Sequence, residues 1–341
     1  MPNAIVRTHV NPSTLWLALV AIAVTAAYPQ PAIAETDETA QEGEAPATSS
    51  EAEEPERATG THCYNEDRNV WVFREFLGLM SNSSGIENRM HAGACTPLIR
   101  RSGMLFDMTN MEAGIFNYLS PSYVHQGIYA SIVPLSFLVL EAKASGVYVW
   151  SIGMAGAGHN PRMSYADNFR STGFTHYIDT EPTTAIGFQL VWSATVRAAV
   201  TVAHLPHGGL DLIVIDGLGL EYWLMGDDAY YFNLRLETIL GRSDLALTND
   251  AAVLVSVPLT ENISLMAGIT DSLVYVPRAD RVDHNMVGGI VAVNLKQLGR
   301  RGRVRGLQPF ILVGGYTNHE TRRLAFPVNF AGGVELSVLL D

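Results

Sequence analysis

One histidine has neighbours that could support catalysis. His125 lies on the same face of a predicted strand as Tyr123, Tyr129 and Ser131. A histidine beside a serine could act as the base of a hydrolase that modifies lipids, but the base also needs a third group to orient it. Because no local motif supplies that group, the alternative is a polar residue of a strand surface. We therefore assign no catalytic residue from the sequence.

The two cysteines, Cys63 and Cys95, are too few for a disulfide-dense scaffold or a four-cysteine zinc site. An even pair in an exported chain favours a disulfide, and the alternative is two free thiols. His159 and His176 fall in the long segment 152–182 without the spacing of metal ligands. The chain also has no phosphate loop and no dinucleotide motif. We expect a Cys63–Cys95 disulfide, no metal site and no cofactor.

The N-terminal 60 residues have the composition of an export signal and a spacer. Arg7 precedes the apolar stretch 15–27, and Ala32-Ile33-Ala34 matches a cleavage site, so residues 1–34 are predicted to be a signal peptide cleaved after Ala34. The alternative is an uncleaved membrane anchor. Residues 35–60 carry nine acids and one base and have no aromatic residue. We expect this segment to be a disordered acidic linker, because it has too little apolar surface to order itself.

From residue 69 onward, apolar and polar residues alternate with the period of a β-strand. In 262–276, for example, Ile263, Leu265 and Ile269 fall on one face, and Ser264 and Thr270 on the other. The alternating segments span about 11–14 residues, which exceeds the usual soluble strand and suits a strand tilted across a bilayer. No apolar run reaches the length of a membrane-spanning helix, and only 16 % of the residues are charged.

These patterns predict an all-β protein, an antiparallel transmembrane β-barrel of 12–14 strands over 61–341. Short and long connections alternate in a fourteen-strand division, and aromatic residues often lie near the segment ends. The alternative is a soluble, exported β-sandwich that binds a ligand. The predicted strands are 69–80, 88–98, 104–118, 123–133, 137–150, 184–194, 197–204, 210–225, 229–240, 251–257, 262–276, 286–296, 307–317 and 328–340.

The last strand, 329–340 (Asn-Phe-Ala-Gly-Gly-Val-Glu-Leu-Ser-Val-Leu-Leu), resembles the C-terminal strand of bacterial outer-membrane β-barrel proteins. The resemblance is to the class and to no specific family, and it covers about 69–341. It implies a Gram-negative-type host, insertion by the barrel-assembly machinery and contact with outer-membrane lipids. The class pattern usually ends on an aromatic residue, whereas this chain ends on Leu340-Asp341.

The polar faces of the predicted strands would line the lumen of such a barrel. Their charges are mixed in sign, which argues against strong ion selectivity. We expect a passive, porin-like pore for small solutes or a structural barrel, and an enzyme is less favoured. The long segment 152–182 would narrow the lumen, form a receptor surface or be a mobile outer loop. The predicted lumen-facing residues are Glu141, Lys143, Asn233, Arg235, Glu237, Asn294, Lys296 and Glu335.

Four arginines cluster in one predicted turn, at 300, 301, 303 and 305. Such a cluster could bind anions, but nucleic-acid sites interleave aromatic residues with the basic ones. The net charge of −12 also argues against binding to the negatively charged backbone of a nucleic acid. We therefore expect contact with lipid headgroups or with the acidic linker, and no nucleic-acid partner.

Overall fold

The computed structural model describes the main part of the chain from residue 69 onward. The predicted signal peptide, the acidic linker and Cys63 lie outside the described residues, as do His159, His176 and residues 300–303. The described residues are 69–80, 85–99, 105–106, 108–121, 123–150, 163–165, 177–179, 185–226, 231–233, 235–236, 238–279, 281–298, 304–319 and 328–340.

Twelve antiparallel strands form one closed barrel. The first five are β1 (Val70–Met80), β2 (Gly85–Pro97), β3 (Asn110–Ser120), β4 (Tyr123–Leu135) and β5 (Leu138–Val149). The next four are β8 (Ala185–Leu205), β9 (Gly208–Met225), β12 (Ser243–Thr260) and β13 (Ile263–Val276). The last three are β14 (Arg281–Leu298), β15 (Val304–His319) and β16 (Val328–Leu340). Neighbours in sequence are neighbours in the barrel, and β1 pairs with β16 to close it.

Two short hairpins lie in the longest connections. The first, β6 (Met163–Tyr165) and β7 (Tyr177–Asp179), falls between β5 and β8. The second, β10 (Tyr231–Asn233) and β11 (Thr238–Leu240), falls between β9 and β12. Both connections are at one end of the barrel, and Val70, where β1 begins, and Leu340, where β16 ends, are at the other. We call this end the loop end and the other the terminal end.

The alternation of the sequence sends apolar side chains to the outside of the barrel. Ile115, Ile128 and Ile311 are 62 %, 64 % and 65 % exposed on outward positions, whereas the inward Val147 and Trp223 are buried. Large apolar side chains left exposed around a closed sheet are the outer face of a transmembrane barrel. The sheet closes on itself, which excludes the two-layer sandwich. Within the described residues, no helix has the length and hydropathy needed to cross a membrane.

The twelve strands agree with the predicted range of 12–14, but the fourteen-strand division is wrong at two places. Segments 184–194 and 197–204 form one strand, β8, because its outward positions remain apolar from Ile186 to Val202. Segment 229–240 is not a strand of the barrel wall, because its chain reverses between β10 and β11. The side chain of Asn233 stabilises that reversal by accepting hydrogen bonds from the backbone N–H groups of Arg235 and Leu236, both at 3.0 Å.

Candidate functional site: a constriction in the lumen

The hairpin β10–β11 packs against the inner wall of the barrel at the loop end. Leu236 is 4 % exposed and Leu240 is fully buried. We call residues 231–240 the plug hairpin. Since the wall residues around it come from five strands (β4, β5, β9, β12 and β13), the hairpin occupies the lumen. These wall residues are Tyr123, Val147, Val149, Trp223, Met225, Ala246, Val274 and Val276.

An ion pair anchors the plug hairpin to the wall. Arg235, in the turn between β10 and β11, pairs with Glu221 on the inward face of β9. Glu221 also accepts hydrogen bonds from Gln189 Nε2 at 2.9 Å and from Trp223 Nε1 at 3.1 Å. The carboxylate is 4 % exposed, so these three donors supply the hydrogen bonds that replace its lost water.

The polar layer continues across the lumen. Arg235 also interacts electrostatically with the Glu87 carboxylate on β2. In the ring of twelve strands, β2 lies five positions from β9, which is nearly the opposite wall. Glu87 pairs with Arg89 and accepts a hydrogen bond from the Tyr123 hydroxyl at 2.7 Å. Arg235 thus pairs directly with β9 and is attracted electrostatically by a carboxylate on the nearly opposite wall.

His125 belongs to this layer, but it has no catalytic geometry. It is 2 % exposed, and its Nδ1 lies 3.1 Å from the side-chain oxygen of Gln189. Its ring packs against Tyr123 and Trp223, with centroids 5.2 and 5.4 Å away. Ser131 is six residues farther along β4, or roughly 20 Å. The partner of His125 is therefore an amide, and the structure does not bring His125 and Ser131 together.

A second charged group lies on the same wall, nearer the terminal end. Arg74 on β1 pairs with Glu112 on β3, and Glu112 accepts a hydrogen bond from the Tyr129 hydroxyl on β4. On β5, Lys143 Nζ is 2.7 Å from Glu141 and 3.1 Å from the Tyr118 hydroxyl. Each of these cations has a carboxylate partner, so these two pairs add no net charge to the lumen.

Most of the predicted lumen residues lie on the inward positions of wall strands: Glu141 and Lys143 on β5, Asn294 and Lys296 on β14, and Glu335 on β16. Two others are inside the barrel for a different reason. Asn233 and Arg235 belong to the plug hairpin and not to the wall. Glu237 lies outside the described residues.

Sequence reasoning did not single out Glu221, Gln189, Glu87 or Arg89. Each falls on the inward face of a strand, and a signal for Glu221 is visible. It is the only charged residue of 217–225, a segment otherwise made of glycine, leucine, aromatic residues and methionine. A lone carboxylate in such an apolar strand would need a polar partner, and the structure supplies Arg235.

The structure describes only some of the cysteine and histidine residues considered in the sequence analysis. Cys95 is fully buried beside Val70, Val72 and Leu339, but Cys63 lies outside the described residues, so the pairing stays a prediction. In the described parts of the chain, no group of three or more His, Cys, Asp or Glu side chains could hold a metal ion.

No protein-family model matches the chain, and no curated protein matches it. Solved structures do match. The translocator domain of the autotransporter NalP from Neisseria meningitidis is 15 % identical over 80 % of this chain and 87 % of its own, with a TM-score of 0.40. The β domain of the Bordetella autotransporter BrkA is 12 % identical over 79 % of this chain and 99 % of its own, with a TM-score of 0.39.

OmpT, an outer membrane protein of Vibrio cholerae, is 6 % identical over 80 % of this chain and 96 % of its own, with a TM-score of 0.32. These likenesses concern the fold alone. The closed antiparallel sheet and its apolar outer face stand on the strand pairing of this chain itself. By fold, the chain is a closed, twelve-stranded antiparallel β-barrel with the apolar outer face of a transmembrane barrel.

Proposed function

We propose that the protein is a narrow pore through which small solutes cross the outer membrane by passive diffusion, with the plug hairpin as its constriction. The observation that carries this proposal is the Arg235–Glu221 ion pair, which fixes the hairpin inside the lumen. A barrel of twelve strands is wider than the side-chain-filled barrels of eight strands and narrower than the open porins of 16–18. A moderate constriction is therefore enough to restrict the lumen to small solutes.

The pairing of the plug hairpin supports a constriction that moves as a unit. Its strands β10 and β11 pair with each other in a two-stranded sheet of their own. Among its described contacts to the wall are side-chain contacts through Leu236, Leu240 and Arg235. Displacing the hairpin would therefore leave the hydrogen bonds of the barrel sheet intact, and the barrel would remain closed while the lumen widened.

The charges of the wall support weak ion selectivity. Arg74, Arg89 and Lys143 each pair with a glutamate, so these three pairs add no net charge to the lumen. Selectivity between ions follows the net charge along a pore, and balanced charge gives little. The solutes we propose are small and are distinguished by size more than by charge.

The experiment is single-channel recording of the purified barrel in a planar bilayer. Replacing Arg235 with Leu removes the ion pair, and we expect a larger conductance or longer openings than in the wild type. Lys296→Gln is the matched control, since it removes a cation of the wall on β14 away from the plug hairpin. If both the wild type and Arg235→Leu fold correctly and never conduct, the pore is refuted and a structural barrel remains.

The proposal also includes where the mature protein resides and what it contacts there. Cleavage after Ala34 would release the exported chain, the barrel-assembly machinery would insert it, and outer-membrane lipids would surround its apolar face. An intact mass of the mature protein that corresponds to a chain beginning at Glu35 would support cleavage and export. An intact mass that corresponds to a chain beginning at Met1 would contradict them.

A further inference from the structure

Two sides of the barrel carry polar side chains on outward positions. The first, which we call the amide patch, consists of Glu75 on β1, Asn88 on β2, Asn117 on β3 and Gln126 on β4. The second, which we call the acid patch, consists of Asp216 on β9, Asn249 on β12 and Asp271 on β13. Neither patch belongs to the lumen constriction.

The carboxylates of both patches lie within the apolar band and not at its edges. On β13, Asp271 stands between the outward Ile269, which is 62 % exposed, and Leu273. On β9, Asp216 is followed at the next outward position by Leu218, which is 61 % exposed. On β1, Glu75 is followed by Leu77 and preceded by Phe73. Lipid tails would therefore surround these polar groups, which is unfavourable unless they find polar partners.

Pairing within each patch satisfies part of this need. In the amide patch, Asn88 Nδ2 donates to Glu75 Oε1 at 2.8 Å. In the acid patch, Asn249 Nδ2 donates to Asp216 Oδ1 at 2.6 Å and to the Gly217 carbonyl at 3.2 Å. Both N–H groups of Asn249 are thus engaged within its own patch.

What remains on the two sides is complementary. In the acid patch, Asp271 Oδ1 is buried and its carboxylate already interacts with Asn285 on β14, so the outward acceptor left over is Asp216 Oδ2, which has no hydrogen-bond partner among the described atoms. In the amide patch, Asn117 and Gln126 stand directly opposite each other in the β3–β4 register and carry four N–H donors between them. One side therefore has acceptors to spare, and the other has donors.

The two patches also lie on opposite sides of the barrel. Around the ring of twelve strands, two strands (β5 and β8) separate the patches in one direction. Three strands (β14, β15 and β16) separate them in the other direction. A face on one side of a molecule that fits a different face on its far side makes a head-to-tail contact. When the two faces are nearly opposite, such contacts repeat in a row and do not close into a ring.

We propose that copies of this chain associate side by side in the membrane, with the amide patch of one copy against the acid patch of the next. The contact brings amide N–H donors to carboxylate acceptors and removes both from lipid. A second copy fits because this one chain carries both halves of the contact at positions flanked by apolar residues. The proposal is independent of conduction through the lumen.

Photo-cross-linking in vesicles tests which faces meet. Gln126 is replaced by the photoreactive residue p-benzoylphenylalanine, and Ile311, an outward residue of β15 between the patches, is replaced in the same way as a control. We expect the probe at 126 to give a cross-linked dimer whose partner peptide comes from β9, β12 or β13. Cross-links from 126 to other strands, or equal cross-linking from 311, would overturn the proposal.

The dissociation constant tests the contribution of the acids. A variant carrying both Asp216→Leu and Asp271→Leu keeps an apolar outer face and should fold. We expect its copies to associate more weakly, so that half-association requires an about tenfold higher protein-to-lipid ratio than in the wild type. Asp250→Asn is the control, because Asp250 faces inward and accepts from Ser272 Oγ at 2.7 Å. The readout is single-molecule photobleaching, with a ladder of species expected for the wild type. A monomeric wild type, or an unchanged double variant, refutes the association.

Discussion

Truncating one buried side chain of the plug hairpin should release the hairpin without unfolding the barrel. Leu240 is fully buried in the apolar cluster that the plug hairpin forms with the wall. Leu240→Ala removes apolar contacts that a fully buried leucine makes, which costs about 3 kcal/mol. Since about 1.4 kcal/mol corresponds to a factor of ten, the ratio of docked to released hairpin should fall about a hundredfold. The loss falls on docking, because β10 and β11 hold no place in the barrel sheet.

Hydrogen exchange with residue resolution is the assay. The amides of residues 231–233 and 238–240 should exchange up to about a hundredfold faster in Leu240→Ala, because exchange reports the population of the open state. The amides of β1 and β16, at the closure of the barrel, should be unchanged. The reasoning fails if the barrel amides accelerate as much as the hairpin amides, since the plug would then be part of the same cooperative unit. It also fails if neither set changes.

Three further predictions concern charge, close packing and selectivity. Glu221→Leu should release the plug hairpin more than Arg235→Leu does, because Glu221→Leu leaves a buried guanidinium without its carboxylate. In Arg235→Leu, by contrast, Glu221 keeps the hydrogen bonds from Gln189 and Trp223. The hydrogen exchange of residues 231–240 compares the two variants. Gly127→Ala should lower the yield of folded barrel on a heat-mobility gel, because the added methyl would lie 2.0 Å from the Ala144 carbonyl oxygen, and Gly146→Ala, with its nearest atom at 4.0 Å, should fold normally. In a salt gradient, the reversal potential of the wild type should stay near zero, given the paired charges of Arg74, Arg89 and Lys143; a strongly shifted potential would contradict this.

The barrel wall could be predicted because each of its strands obeys one simple rule. A strand with one face in lipid and one in a polar lumen must alternate, and β13, β14 and β16 show that alternation over most of their length. The pairing of the first strand with the last also follows, since a closed sheet leaves no edge. The ends of the strands do not follow from alternation. The predicted segments 184–194 and 197–204 divide β8 in two, because a strand of 21 residues exceeds the usual strand length.

The plug hairpin could not be predicted from the same rule. Residues 229–240 alternate as a wall strand does, because the hairpin also has one face against an apolar cluster and one toward polar groups. What distinguishes the two is the reversal at Asn233, whose side chain caps a turn. A single asparagine is a weak signal for a turn in a segment that otherwise alternates, so only the tertiary arrangement decides.

The candidate site depended on contacts that no sequence pattern contains. Arg235 and Glu221 are both visible as charged residues, but their pairing brings a hairpin and a wall strand together in the lumen. The residue type of His125 makes it a candidate catalytic base, but its hydrogen-bond partner Gln189 lies 64 residues farther along the chain, on another strand. The outward acids are different, since Asp271 interrupts an apolar face of β13 and is visible in the sequence as an exception to the alternation.

The closure between β1 and β16 has a consequence for how the chain reaches this structure. Trp71 pairs with Leu340 and Met80 with Ala331, so the final seam joins residues separated by almost the whole described chain. Bringing such distant segments together carries a large loop-closure entropy, and contacts of long sequence separation form slowly. Until the last strand arrives, β1 has an open edge that can pair with any other strand. Synthesis must therefore be finished before the seam can form, and the time spent with open edges is the period in which misassembly competes with folding.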